Sequence, residues 1–257
     1  MFVKIAVIGG SGVYDPEILE GIREDHVSTP YGGVKLTVGE YKGKRVAFLP
    51  RHGQDHSVPP HLINYRANIM ALKQIGVKNI LATAAVGSLK PEMAPRDVVF
   101  TDQFLDFTKA RNHTFFGESK VGVTHLDMTE PYCPGLRKIL GGAAKSLGYR
   151  HHMLGTYVCT EGPRFETPAE IRMFNLLGGD LVGMTSVPEC TLAREAGMCY
   201  ATIAMVTNYA AGVTKDRLSH QEVLDVMSYN ISRLKELIMN AIENIDENRE
   251  CICQNAL

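Results

Sequence analysis

Two polar motifs that follow apolar runs near the start of the chain could bind an anion. The first is VIGGSGVYD, residues 7–15, in which Ser11 stands between glycines. A glycine turn at the end of a strand presents backbone N–H groups, and the serine hydroxyl adds a donor. The second is RHGQDH, residues 51–56, where Arg51 offers a planar fork matched to phosphate and His52 offers a further donor. Both motifs indicate binding of a small anion.

The first motif fits neither of the two common nucleotide-binding patterns. Counted from Gly10, the dinucleotide pattern G-x-G-x-x-G would need a third glycine where the chain has Asp15. The nucleotide P-loop needs a lysine after its last glycine, and none follows here. A site for a small anion and an ordinary strand-end turn both remain open for this segment.

The histidines of the second motif are poorly spaced for a metal. His52, His56 and His61 are separated by Gly53 and by Pro59-Pro60, so no single helical face can present all three. We expect no metal here, and no metal site or cofactor elsewhere in the chain.

Two later strand ends resemble the first in carrying small residues. LATAAVGSL, residues 81–89, contains Ala84 and Ala85, whose small side chains allow a ligand to approach the backbone. GMTSVPE, residues 183–189, places Thr185 at the start of a proline-opened helix. Each motif alone is weak evidence, but four such strand ends in one chain indicate a ligand site at a sheet edge.

The elements that must position these motifs alternate along most of the chain. Apolar runs and glycine or proline boundaries predict a hairpin first and alternating strands and helices later. This order favours one α/β domain over residues 1–257, with a central mixed sheet flanked by helices and a C-terminal tail at 246–257. Strands are expected at 4–8, 36–41, 45–49, 79–85, 97–102, 157–160, 180–183 and 200–206, and helices at 60–75, 135–147, 168–177, 188–196 and 220–245.

Composition narrows the classes of function. The 257 residues are 45% hydrophobic and 21% charged with a net charge of -1, so no basic field points to nucleic acid or to an anionic membrane. No stretch approaches the length of a transmembrane helix, and we expect a cytoplasmic protein.

The six cysteines fall into two groups. Four stand in apolar contexts and are expected to be buried thiols, whereas two form a C-x-C near the end of the chain. Two cysteines alone do not make a tetrahedral zinc site, so the C-x-C is either an incidental part of the tail, which we favour, or a disulfide or redox pair. The internal ones are Cys133, Cys159, Cys190 and Cys199, and the C-terminal ones are Cys251 and Cys253.

Taken together, the motifs resemble the trimeric purine nucleoside and methylthioadenosine phosphorylases, in order and over nearly the whole chain. This resemblance implies phosphorolysis of a nucleoside, with inorganic phosphate as co-substrate, in a homotrimer or a dimer of trimers. The matching segments are IGGSGVYD, TPYG (29–32), RHG, NYRAN (64–68), AVGSL (85–89), DQFLDFT (102–108), HLDMTEPYCP (125–134), EGPRFET (161–167), GMTSVPE and TNYAAG (207–212).

The resemblance also implies roles for particular residues. Met184 would lie against the ribose and Phe165 against the base, and His125 would reach the 5′ end of a ligand bound in a neighbouring subunit. The positions that match the family's phosphate ligands are Ser11, Arg51, His52, the Ala84-Ala85 turn and Thr185.

Two residues of the base pocket favour a 6-oxopurine. The methylthioadenosine branch carries an aspartate pair where this chain has Asn208 and Ala210 on either side of Tyr209, and it usually has serine where this chain has Glu166. A Glu166 carboxylate can accept from N1–H of a 6-oxopurine, and the Asn208 amide can donate to O6 or N7. Adenine offers a lone pair at N1 instead, a mismatch that costs on the order of 1–3 kcal/mol.

Several alternatives stay open at this stage. Glu166 could instead point to solvent and cap the helix expected from Pro168. The 5′ group is not settled by His125, so inosine, guanosine and 5′-methylthioinosine all remain candidates. Rival functions are a methylthioadenosine phosphorylase, a catalytically silent nucleotide-binding protein and a nucleoside hydrolase.

In the favoured hypothesis phosphate attacks the anomeric carbon as the glycosidic bond breaks. Asn208 stabilises the charge that moves onto the purine, Glu166 orients the base and His52 helps to position the phosphate.

Overall fold

A computed structural model describes most of the chain. The strands are β1 (Ile5–Gly9), β2 (Glu20–Thr29), β3 (Gly32–Tyr41), β4 (Lys44–Pro50), β5 (Asn79–Ser88), β6 (Val98–Phe100), β7 (Gln103–Phe107), β8 (His151–His152), β9 (Thr156–Thr160), β10 (Leu181–Gly183) and β11 (Cys199–Tyr209). The helices are α1 (Tyr65–Gln74), α2 (Pro134–Ser146), α3 (Pro168–Leu176), α4 (Ser186–Glu195) and α5 (His220–Asn244). The described residues are 2–9, 19–53, 55, 57–116, 124–214 and 220–255.

All eleven of these strands belong to one mixed sheet, which confirms the predicted α/β class. The main path runs β2-β3-β4-β1-β5-β10-β9-β7, and β11 pairs with β5 and β6. Strands β1, β5 and β11 are parallel to one another and almost wholly buried, which explains their continuous apolar runs. Apolar residues of α1 and α4 join one core cluster, and those of α2 and α5 join another.

Strand β5 changes partner halfway along one of its edges. On that edge β1 pairs with it up to Ala82, and β10 pairs with it antiparallel from Gly87. Among the described strands, none pairs with residues 83–86 on that side, while β11 pairs with β5 along its whole length on the other. The sheet therefore has a gap beside residues 83–86, where the β5 backbone has no strand partner on this edge among the described residues.

The predicted elements are largely confirmed, with corrections where local sequence misleads. Strand β2 was missed because most of its side chains are polar and exposed. Strand β7 was missed because its segment QFLDF is short and its apolar residues do not alternate with polar ones. The helix expected from residue 60 begins at Tyr65, because the Asn64 side chain accepts from the Ala67 N–H at 3.1 Å and caps it there. The strand expected at 79–85 continues to Ser88, so Ala84 and Ala85, which the family resemblance places in a turn, lie inside β5.

No helix among the described residues combines the length and apolar character needed to cross a bilayer.

Lys44 joins the hairpin of β3 and β4 to the end of α5. Its ammonium donates to the carbonyl oxygens of Ile242, Glu243 and Ile245 at 3.0, 2.7 and 2.6 Å. These carbonyls lie at a helix C-terminus, where a cation is favoured by the helix dipole, and of the three Ile242 also accepts from the Ile245 N–H at 3.2 Å.

Lys44→Met is expected to lower the free energy of unfolding by about 1–3 kcal/mol, because it leaves these carbonyls without their charged donor. The measurement is urea unfolding. Lys42→Met is the matched control, because Lys42 lies in the same hairpin but its ammonium makes exposed contacts, an ion pair with Glu243 and a stacking contact with the Tyr41 ring. Equal losses in the two variants would contradict the capping role of Lys44.

Candidate active site

A buried ion pair fixes Arg51, the main predicted phosphate ligand, beside the gap in the sheet. Its Nε and Nη2 donate to the two carboxylate oxygens of Glu189 at 2.8 and 2.6 Å, and its Nη1 donates to the Thr83 carbonyl at 2.9 Å. Burial acts to lower the pKa of Arg51, but the charge and hydrogen bonds of Glu189 outweigh it and raise that pKa. The arginine is therefore always charged. Two of its five N–H groups have no partner among the described residues, and they can serve an anion.

His52 follows directly and is oriented by the backbone. Its Nδ1 lies 2.8 Å from the Val58 carbonyl, so Nδ1 carries the proton and donates it. The imidazole is thereby fixed in one tautomer, with Nε2 as the second functional atom.

The other predicted phosphate ligands lie in β5 beside the gap and just after the end of β10. Ala84 is buried and Ala85 is exposed, both within the stretch of β5 that lacks a partner strand on one edge among the described residues. Thr185 is the N-cap residue of α4, yet its hydroxyl makes no capping bond. Its backbone N–H donates to the hydroxyl of Tyr157 at 3.2 Å. Ser11 lies outside the described residues.

Glu166 is held inside the protein rather than at a helix cap. Its Oε1 accepts from the Thr160 hydroxyl at 2.7 Å, and Thr160 is the last residue of β9. Burial raises the pKa of Glu166, and the Thr160 hydrogen bond opposes that rise. Helix α3 is capped by Thr167 and Glu170, which form a reciprocal capping box. The alternative that Glu166 points to solvent and caps this helix is therefore wrong.

Asn208 is buried near the end of β11 and its amide is oriented. Its Oδ1 accepts from the Thr207 hydroxyl at 2.7 Å, and its Nδ2 donates to the Tyr209 carbonyl at 2.8 Å. A bulge between Val206 and Asn208 sets this geometry, and the facing Gly87 leaves room, since a Cβ there would lie 3.3 Å from Nδ2. The second N–H of the amide has no acceptor among the described residues.

The neighbours of Asn208 have different surroundings. The Tyr209 hydroxyl donates to the Pro91 carbonyl at 3.2 Å. Ala210 is buried in an apolar cluster with Val158 and Val182. A carboxylate at position 210 would therefore be surrounded by the apolar side chains of this cluster. The chain has alanine at this position.

The remaining predicted substrate contacts lie on the connections that follow β7, β9 and β10. Phe165 is 44% exposed, which leaves its ring available to a ligand. Met184 packs against Gly162, where a Cβ would lie 2.6 Å from the Met184 sulfur, and Gly162 also has a left-handed φ of +67°. His125 is exposed in a segment without regular structure.

Arg111 is a site residue that the sequence did not single out. Its Nη1 donates to the carbonyls of Met184 and Val187 at 2.6 and 3.1 Å, and its Nη2 donates to those of Thr160 and Glu161 at 3.0 and 2.7 Å. This buried guanidinium thus joins the loops that carry Met184, Thr185 and Glu166. Its only sequence signal was its place in a long polar loop at 109–121.

Comparisons with known proteins agree with this geometry. The model of the phosphorylase superfamily matches residues 4–243, and the chain belongs to this superfamily. It is 58% identical over 254 residues to a probable 6-oxopurine nucleoside phosphorylase of Moorella thermoacetica, covering 99% of this chain and 98% of that protein. It is 56% identical over 259 residues to a 6-oxopurine nucleoside phosphorylase of Pyrococcus furiosus, covering 99% and 97%.

A solved structure gives the same answer for the fold. A methylthioadenosine phosphorylase from an antarctic soil metagenomic library superimposes with a TM-score of 0.93 at 39% identity, covering 100% of this chain and 91% of that one. The family resemblance inferred from the motifs is thereby confirmed.

Arg111→Lys is expected to lower the free energy of unfolding by at least about 2 kcal/mol, because an ammonium cannot satisfy two pairs of buried carbonyls arranged around a planar fork. Urea unfolding measures this loss. Arg172→Lys, at an exposed position on α3, is the matched control and should leave stability unchanged. A loss no larger than that of the control would show that Arg111 does not hold these loops together.

Proposed function

We propose that this protein is a purine nucleoside phosphorylase that cleaves 6-oxopurine nucleosides, reversibly, to the free base and a ribose 1-phosphate. It is a pentosyltransferase of purine salvage. The observation that carries the proposal is the pair of oriented groups in the base pocket: Glu166, held by Thr160, and Asn208, held by Thr207. The 6-oxopurine names of the relatives at 56–58% identity support it.

The two groups present hydrogen-bonding atoms that match a 6-oxopurine. Glu166 keeps one carboxylate oxygen for N1–H, since the other accepts from Thr160. The Asn208 amide keeps one N–H for N7 or O6, since the other donates to the Tyr209 carbonyl. Both positions lie along the same sheet: Asn208 pairs with Gly87 of β5, which pairs with Val182 of β10, which pairs with β9. Three strand spacings amount to about 14 Å, a span that two side chains and a purine can fill.

Phosphate would act as the nucleophile in the gap beside β5. The phosphate is held by Arg51, His52 and Thr185, and Arg51 has two N–H groups available for it. By family resemblance, Ser11 completes the set of phosphate ligands. Fixing phosphate beneath the anomeric carbon makes the attack effectively unimolecular. Met184 lies against the ribose, whose carbon becomes oxocarbenium-like as the glycosidic bond breaks.

The leaving purine carries the electron pair of the broken bond, and its negative charge collects at N7 and O6. The oriented Asn208 N–H is placed to stabilise this charge, in the manner of an oxyanion donor. Phe165 covers the face of the base. Tyr209, next to Asn208 in the chain, is a further residue of the base pocket. The step needs neither a covalent intermediate nor a cofactor.

Assembly and the 5′ pocket extend the proposal. We infer a homotrimer or a dimer of trimers in which His125, exposed on the single chain, reaches the 5′ end of the nucleoside in a neighbouring subunit. The 5′ group is a hydroxyl or a methylthio group. We expect the enzyme to act in the cytoplasm, where nucleosides and phosphate are recycled.

The deciding experiment measures base release from inosine, guanosine, 5′-methylthioinosine and 5′-methylthioadenosine, each with and without phosphate. Phosphate-dependent cleavage of the three 6-oxopurines, with methylthioadenosine much slower, is the expected result. Methylthioadenosine as best substrate would keep the phosphorylase class but overturn the base pocket. Activity without phosphate would indicate a hydrolase, and no cleavage would indicate a silent binding protein.

Asn208→Asp is expected to lower kcat/KM for inosine more than tenfold. The carboxylate cannot donate to N7 or O6, and it would also face the Tyr209 carbonyl that the amide now donates to. The ratio of activity toward adenosine over inosine should rise in the same variant. Unchanged kcat/KM for inosine and methylthioinosine would remove Asn208 from this role.

The acid side of the pH profile should report Glu166. Burial raises its pKa, so the carboxylate becomes protonated at a higher pH than an exposed glutamate would. Because the protonated group no longer accepts from N1–H, kcat/KM for inosine should fall at that pH. Thr160→Val removes the hydrogen bond that opposes this rise, so the acid limb should move to higher pH. Thr156→Val, at the other end of β9, is the control. An acid limb that stays in place in Thr160→Val would exclude Glu166 as the titrating group.

A further inference from the structure

Four cysteines from three separate segments meet in the fold. Cys133 is the N-cap residue of α2, Cys199 is the first residue of β11, and Cys251 and Cys253 follow α5 in the tail. Their Sγ atoms all lie within 4.8 Å of one another, and three of the four residues are buried, with Cys251 partly so. The C-x-C, which we expected to be an incidental part of the tail, is therefore joined in the fold by two more thiols.

The tail is held at this cluster by a backbone turn, a close approach to Gly197 and a side-chain hydrogen bond. The Gln254 N–H donates to the Cys251 carbonyl at 3.0 Å. Gly197, with a left-handed φ of +71°, lets the tail approach closely, since a Cβ there would lie 3.3 Å from the Gln254 carbonyl oxygen. Arg249 donates from Nε to the Asn79 side chain at 3.0 Å. The four thiols are thus positioned together by the fold.

We propose that Cys133, Cys199, Cys251 and Cys253 bind one zinc ion. Four thiolates around zinc, with Zn–S bonds of about 2.3 Å, form a tetrahedron whose edges are about 3.8 Å. The sulfur atoms of Cys133 and Cys251 are already 3.7 Å apart, and the limit of 4.8 Å on the other pairs leaves only small rotations of the side chains to close it. Among the described residues, this is the one group of histidine, cysteine or acidic side chains close enough to share an ion.

The surroundings offset the charge of such a site. Four thiolates and a divalent ion carry a net charge of about −2. Arg249 donates from Nη2 to the Cys133 sulfur at 3.0 Å, which provides both a positive charge and a hydrogen bond to a ligand. Cys133 also stands at the N-terminus of α2, where the helix dipole favours negative charge.

The position of the site indicates a structural role. Cys199 begins β11 and Asn208 lies nine residues further along it, so the zinc would be roughly 30 Å from the base pocket. All four coordination positions are filled by protein, which leaves none for a substrate. The ion would fasten the C-terminal tail to α2 and to the start of β11.

The first measurement is the metal content of protein purified with a reductant and without a chelator. About one zinc per chain is expected. Replacing it with Co²⁺ should give the near-ultraviolet thiolate-to-cobalt band and the strong visible bands of a tetrahedral site. Stripping the metal should lower the Tm while leaving KM for the nucleoside unchanged, which separates this proposal from the proposed function.

Variants test the ligands directly. The double variant Cys251→Ser/Cys253→Ser should lose the zinc and the cobalt spectrum. Arg249→Gln should weaken metal affinity by about 10–100-fold without abolishing it. Cys190→Ser is the matched control, because Cys190 is buried outside the cluster and its thiol donates to the Pro131 carbonyl, which a hydroxyl can also do.

Two results would overturn the proposal. One is reduced wild-type protein that gives no thiolate-to-cobalt band, a test that does not depend on any variant folding. The other is mass spectrometry of protein alkylated at cell lysis in which these four cysteines are paired as disulfides.

Discussion

The ion pair between Arg51 and Glu189 is the interaction on which the rest of the site depends. Both side chains are almost wholly buried, and an unpaired charge there would be very costly. Glu189 accepts from Arg51 twice and from the Tyr200 hydroxyl at 2.8 Å, while Arg51 also donates to β5. A buried pair of this kind adds little net stability, because desolvation offsets its attraction. Its effect is to hold a charged fork, with two donors left over, beside the only stretch of β5 that lacks a strand partner on one edge among the described residues.

Much of the fold could be predicted because buried parallel strands carry a strong apolar signal. β1, β5 and β11 were expected nearly where they occur, whereas β2 was not, because its polar, exposed side chains give no such signal. The motifs also indicated the phosphate and base residues, largely through family resemblance. The partners of those residues could not be predicted: Glu189 is 138 positions from Arg51, and only the folded sheet brings them together.

The two polar groups of the proposed base pocket are each oriented by a threonine hydroxyl. Thr160 orients Glu166 and Thr207 orients Asn208, each through a single hydroxyl at 2.7 Å. An amide or a carboxylate that could rotate freely would accept several bases equally well. When each group is held in one orientation, a mismatched base leaves a buried polar atom without a hydrogen-bond partner. The free energy lost in this way discriminates between 6-oxopurines and adenine. Local sequence gives no sign of this, since threonines at strand ends are common.

Strand β11 joins the two ends of the molecule in one rigid element. Its carboxyl end carries the bulge that aims Asn208, and its amino end carries Cys199 in the cysteine cluster. It pairs with β5 along its whole length. The hydrogen bonds between these two strands therefore resist movement of either end of β11, and the same β5 lines the gap. The C-terminal tail therefore supports the start of the strand that carries Asn208, while the ladder with β5 fixes the far end where Asn208 lies. The sequence hides this because Cys133, Cys199 and the tail are far apart in the chain.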